Sequence, residues 1–271
     1  RYRWLDDVAA LNRPFLLNDF NRDCDEIKVE RMIFLQSDAD ADQYYEEAEW
    51  VETLARMDAR IEGMVPYAPL EKGNDALLSI AALAKNRRVK GIRRLLQSES
   101  DPAFCIQPEF IDGLCLLEKY DLHFEICLKG DDQFENAVKM VDQCPQIRFV
   151  LDHCGKPFIK ERIRDPWREL MQELSSLPNA VCKISGLVTE ADAENWKVSD
   201  LAAYIEHAID TFGWDRCMFG GDWPVSTLAT TYPGWIQALL EVLQGEPEER
   251  LQKLFRKNAL SCYRLIEEGE E

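Results

Sequence analysis

Seven short apolar segments recur along this chain roughly 30 residues apart, and no other feature of the sequence constrains the fold as much. They are Met32 to Leu35, Ile61 to Val65, Val89 to Leu96, Phe124 to Leu128, Ile147 to Leu151, Ala180 to Ile184 and Cys217 to Phe219. An interval of that length holds one strand and one crossover helix, so each strand can run parallel to the last. The intervening segments carry helical periodicity. Leu201, Tyr204, Ile205, Ala208, Ile209 and Phe212 fall on one face of a helix, with Ser199 as its expected cap. Trp167, Leu170, Met171, Leu174 and Leu177 repeat in the same way, as do Phe134, Ala137, Val138 and Val141. Strands alternating with helices predict an α/β fold built on a buried parallel sheet.

A (β/α)8 barrel of the TIM type is the expected architecture, with one domain over residues 1–271, because no linker or composition break divides the chain. A doubly wound open sheet is the rival, yet no glycine-rich phosphate turn follows any strand. The strand count is one short of eight, and Arg1 to Leu5 has no strand before it. Either the first strand lies upstream and is missing from this sequence, which is the expectation adopted, or the barrel closes with seven.

Barrel enzymes place their chemistry at the carboxyl ends of the strands. Polar residues stand there in order: Gln36, Tyr67, Arg93 with Arg94, Lys129, Asp152 with His153, Lys183 with Ser185, and Asp222. Two of these ends are the most informative. Cys217-Met218-Phe219-Gly220-Gly221-Asp222-Trp223-Pro224 delivers a carboxylate after two glycines, and Leu151-Asp152-His153-Cys154-Gly155-Lys156-Pro157 delivers an acid and an imidazole.

Charge and cysteines exclude other classes. A net charge of -18 would be repelled by nucleic acid and by anionic membrane, so neither is an expected partner. The 9 cysteines show no metal-ligand or disulfide spacing, which points to a reducing compartment. Without a signal peptide or an apolar run long enough for a bilayer, a cytoplasmic location is expected. The acidic tail after Leu265 is expected to fray.

At these residues the sequence resembles the amidohydrolase superfamily, in its sugar-lactonase branch of L-fuconolactone and L-rhamnonolactone hydrolases. The matching segments are Leu11 to Phe15, Gly91 to Gln97, Leu151 to Pro157, Cys182 to Asp192, Met218 to Val225, and Asn258-Ala259 with Tyr263. Together they cover nearly the whole chain in the family's order. The family opens with a strand ending in His-x-His, which this sequence lacks, and it often has His where Arg94 stands.

The resemblance implies hydrolysis of a sugar-acid lactone in carbohydrate metabolism. Asp222 is the expected general base or metal ligand, with a helix cap as the plainer alternative. His153 is the expected second catalytic residue or metal ligand, against a satisfied core histidine. One divalent metal, zinc, is the implied cofactor. Arg93, Lys129 and Lys183 are candidate substrate-binding cations, or else charge balance among the acids of the mouth. Trp223 is a candidate stacking surface for a sugar ring, or else packing. Asp152 is expected to face the wall or to orient a neighbour. His123, His207 and Cys154 are read as structural. The alternatives are an inactive barrel serving as a binder or subunit, and a metal-dependent decarboxylase of the same superfamily. Oligomeric state is not legible.

Overall fold

The computed structural model describes residues 1–265, so the acidic tail lies outside the described residues. All seven apolar segments form strands: β1 (Met32–Leu35), β2 (Ile61–Val65), β3 (Gly91–Arg93), β4 (His123–Ile126), β5 (Phe149–Leu151), β6 (Ala180–Ile184) and β7 (Cys217–Phe219). Helix α1 (Leu17–Cys24) precedes them. The crossovers carry α2 (Tyr44–Met57), α3 (Leu77–Leu83), α4 (Pro108–Cys115), α5 (Asp131–Gln143), α6 (Trp167–Ser176), α7 (Leu187–Glu190) and α8 (Val198–Phe212). After β7 come α9 (Tyr232–Val242), α10 (Glu248–Gln252) and α11 (Asn258–Cys262). Ser199 does not cap α8. The helix starts at Val198, and Asp200 reaches back to accept the Lys197 N–H at 2.9 Å.

Every strand pairing is parallel. β1 pairs with β2, while β3, β4, β5, β6 and β7 form one ladder in chain order. A single parallel bridge, Met64 to Val89, links the two groups. This order never reverses, whereas a doubly wound sheet must reverse at its switch point.

Alternation along the strands sorts the side chains into two layers. Phe124, Ile126, Phe149, Leu151, Cys182 and Ile184 pack outward beneath the helices in the large core. Val65, Val150, Met218 and Tyr263 form a separate inner cluster, joined by Ile33, Leu35 and Val181. Both faces are buried, which explains why the strands read as unbroken apolar runs. Gly91 fits this inner layer for a steric reason: a Cβ there would lie 2.4 Å from the His123 ring. All the cysteines are free thiols, most of them buried, where they behave as small hydrophobes. No helix among the described residues is long and apolar enough to cross a membrane.

Candidate active site

The inner faces of β3, β4, β5 and β6 carry charge where the other strands carry aliphatic groups. The Arg93 guanidinium meets Asp152 Oδ2 at 2.9 Å, and Lys183 Nζ meets Asp152 Oδ1 at 2.7 Å. Lys183 also bonds Glu125, whose other oxygen accepts the Tyr263 hydroxyl at 2.7 Å and lies 3.2 Å from His123 Nε2. Two cations thus face two buried carboxylates, and the cluster is balanced within itself. Burial would raise the Asp152 carboxyl, but Lys183 and Arg93 hold it well below the usual carboxylate range. Asp152 therefore orients its neighbours. Arg93 and Lys183, expected as substrate contacts, are held by these partners on the inner face of the sheet.

Above this layer lie His153 and Asp222, brought together from the ends of β5 and β7. His153 Nε2 stands 3.8 Å from Asp222 Oδ1, and His153 Nδ1 lies 2.8 Å from Ser185 Oγ at the end of β6. Burial pushes the imidazole down to about 3, so it is neutral at neutral pH. Burial pushes the Asp222 carboxyl up to about 7, against the pull of Lys156, Arg93 and Lys183. With a neutral ring the pair is no ion pair. Among the described residues the Asp222 carboxylate accepts no hydrogen bond, which leaves it available as a base or a ligand.

The backbone that presents His153 is unusual. His153, Cys154, Gly155 and Lys156 all have positive φ (53°, 51°, 71° and 49°). The Lys156 N–H donates to the His153 carbonyl at 2.9 Å and closes this left-handed turn. Three of the four residues carry a Cβ, at roughly 1–2 kcal/mol each. Such strain survives only where surrounding structure enforces it, and it gathers at functional sites. Gly186 is part of that enforcement. Its φ is +64°, and a Cβ there would lie 2.6 Å from His153 Nδ1. Gly186→Ala is expected to destabilise the protein by about 1–3 kcal/mol, read as a lower urea midpoint with an unchanged slope.

A metal can be weighed against these donors. His153 Nε2 and Asp222 Oδ1 are both free, and one ion can span their separation. Nδ1 lies against the Ser185 hydroxyl, an outer-shell hydrogen bond that fixes the ring and leaves Nε2 for a metal. They fit as two of a site's ligands. Cys127, Asp152 and His153 also have ligand atoms within 4.8 Å of one another. That trio does not fit, because both Asp152 oxygens are engaged by cations. The Cys127 thiol is also pushed up to about 11 by burial.

The remaining candidates are held by other partners. Lys129 pairs with Glu190 at 2.8 Å and lines a cavity of about 360 Å³ with Glu99, Asp131, Asp132 and Phe158. Trp223 packs edge-on against Phe15 and Phe20, and its indole N–H donates to Asp23 at 3.0 Å. Cys154 is buried with its thiol on the Lys183 carbonyl at 3.6 Å, and His207 contacts the Arg168 carbonyl. Glu125 was not singled out from sequence, and Ser185, Tyr263 and Lys156 were named there without a role. A glutamate between Phe124 and Ile126 in an apolar strand was the available signal, since a buried carboxylate demands a partner.

The family model described as Amidohydrolase matches residues 12–265. An L-fucono-1,5-lactonase of Burkholderia multivorans is 33% identical over 232 residues, covering 80% of this chain and 76% of that protein. An L-fucono-1,5-lactonase of Burkholderia ambifaria is 29% identical over 226 residues, covering 81% and 76%. The crystal structure of an amidohydrolase from Burkholderia multivorans with bound zinc superposes with a TM-score of 0.89 at 29% identity, covering 98% of this chain and 94% of the other.

Proposed function

We propose, from the premise that this chain belongs to the amidohydrolase family, that it hydrolyses a sugar-acid lactone of the L-fucono-1,5-lactone class. The observation that carries the reading is the unpartnered Asp222 carboxylate facing a neutral His153 across 3.8 Å, at strand ends of a chain similar to two such lactonases. The architecture adopted with it is one (β/α)8 barrel unit, supported by the sequential parallel order of β1 to β7.

A lactone is an ester, so its opening requires a water made nucleophilic and a base to take its proton. Asp222 fills the second role. Its Oδ1 is turned toward His153, and its other oxygen is available to a water in the mouth. As the water oxygen bonds to the carbonyl carbon, its proton passes to Asp222. When the ring C–O bond breaks, the departing alkoxide takes that proton back, and the product is the open hydroxy acid. Burial raises the Asp222 carboxyl, the direction that suits a group taking up and returning a proton. His153, locked by Ser185 and Gly186, orients the reacting group beside it.

Zinc is the cofactor this reading implies, held by His153 and Asp222. When bound, such an ion makes water a better nucleophile at neutral pH. The buried cluster of Arg93, Asp152, Lys183 and Glu125 supports this floor and holds the strand ends in register, and Arg93 and Lys183 bound the substrate from below. Lys129 and Trp223 stand at the rim as candidate substrate contacts.

A proton-release assay over a panel of sugar 1,4- and 1,5-lactones tests the reading. Turnover of a 1,5-lactone is expected, and silence of the folded protein across the panel would sink it. Metal removal is a separate measurement. Chelation should lower turnover at least tenfold, with zinc restoring it, whereas chelator-insensitive turnover would remove the metal from the scheme.

A further inference from the structure

The cations of the mouth are not equivalent. Arg93 is held by Asp152, Lys183 by Glu125 and Asp152, Arg94 by Glu71 at 3.2 Å and Glu99 at 2.6 Å, and Lys129 by Glu190. Lys156 differs. Its Nζ bonds the neutral side-chain oxygen of Gln97, and among the described residues it has no carboxylate partner. An ammonium has three donors, so two remain for a ligand. Its charge goes uncancelled beside a site where the others are neutralised.

Its placement follows from the left-handed turn. With a bond from residue i+3 back to residue i, side chains three apart lie one above the other. Lys156 and His153 stand in that relation, closed by the 2.9 Å bond between their backbones. The strained backbone that presents the imidazole therefore starts the Lys156 side chain beside it, and Nζ ends on Gln97 Oε1, which also accepts from Cys127, itself within 4.8 Å of a His153 ring nitrogen. Lys156 is also the foremost charge opposing burial at Asp222, which places it near that carboxylate without pairing to it.

We propose that Lys156 binds the lactone carbonyl oxygen and stabilises the oxyanion formed there, a role that rests on the lactonase reading above. As water adds to the carbonyl carbon, the C=O π pair moves onto oxygen, opposite the two free N–H donors of Lys156. The proton from water goes to Asp222. On collapse the pair reforms the C=O bond, the ring C–O bond breaks, and the alkoxide takes the Asp222 proton. Lys156 remains an ammonium throughout. A donor held where the charge develops acts on the transition state more than on the ground state.

The test is steady-state kinetics on L-fucono-1,5-lactone with wild type, Lys156→Met, Lys156→Gln and Lys156→Arg, each checked for folding by thermal melt. Lys156→Met should lower kcat on the order of 100- to 1,000-fold with KM changed little, and Lys156→Arg should recover part of the loss. Lys156→Gln retains a donor and covers the case in which the methionine variant fails to fold. It should fall between wild type and methionine. A raised KM at unchanged kcat would make Lys156 a ground-state contact and overturn the proposal. Wild-type kcat in Lys156→Met would overturn it as well, leaving the lactonase reading intact. Silence of the wild type would instead remove the lactonase reading, and this role with it.

Discussion

Asp222→Asn should lower kcat by about 100- to 10,000-fold, the range spanned by loss of a general base. The substitution keeps the shape of the side chain and removes only its ability to take a proton. Folding should not suffer, because the carboxylate accepts no hydrogen bond from the described residues and burial already disfavours its charge. A neutral amide at that position relieves this penalty, so the melting temperature should hold or rise slightly. Saturating-lactone turnover and a thermal melt, measured on one preparation, separate the two effects. Near-wild-type turnover in a folded Asp222→Asn protein would exclude Asp222 as the base.

The largest stability effect is expected one layer below. Lys183→Met removes the cation that Glu125 and Asp152 share, leaving two buried carboxylates with Arg93 alone. Breaking a buried pair by removing one partner costs about 3–5 kcal/mol, since the remaining charge stays desolvated. Against a typical total of roughly 5–15 kcal/mol, that is a large fraction. The proper contrast is Lys139→Ala, which removes an exposed pair with Glu135 one helical turn away at 2.7 Å. That change should cost under about 1 kcal/mol. Urea midpoints at unchanged slope decide the matter, and equal midpoints for the two variants would mean that the cluster is not an ionised network.

The sequence carried the strands and helices well, because both rest on short-range periodicity. β5 shows why: Phe149 and Leu151 serve the helix layer while Val150 serves the inner cluster, so the run is apolar throughout. Asp222 and His153 were legible because each ends such a run, and they meet at 3.8 Å. What they meet with was not legible. Glu125 finds Lys183 58 residues along the chain and Tyr263 138 residues along, pairings set by strand register and by where the last helix ends. Lys156 was missed for a different reason. Its role depends on three side-chain-bearing residues adopting positive φ in succession, and one glycine among them gives little warning. The choice between sugar stacking and packing at Trp223 is not legible locally, because its neighbours Phe15, Phe20 and Asp23 lie some two hundred residues away in the chain.

The junction between β2 and β3 has a consequence for how the molecule opens. Among the described residues three backbone hydrogen bonds cross it: Met64 N–H to Arg88 O at 2.7 Å, Lys90 N–H to Met64 O at 3.0 Å and Arg93 N–H to Pro66 O at 3.0 Å. The ladder is interrupted here, between the pair β1 with β2 and the run β3 to β7, so local opening is expected to begin at this junction. Amide protons of Met64, Lys90 and Arg93 should exchange with solvent earlier than those of β4, β5 and β6. Sub-global opening there would uncover the strand that carries Arg93, so the floor of the site would loosen before the chain as a whole unfolds.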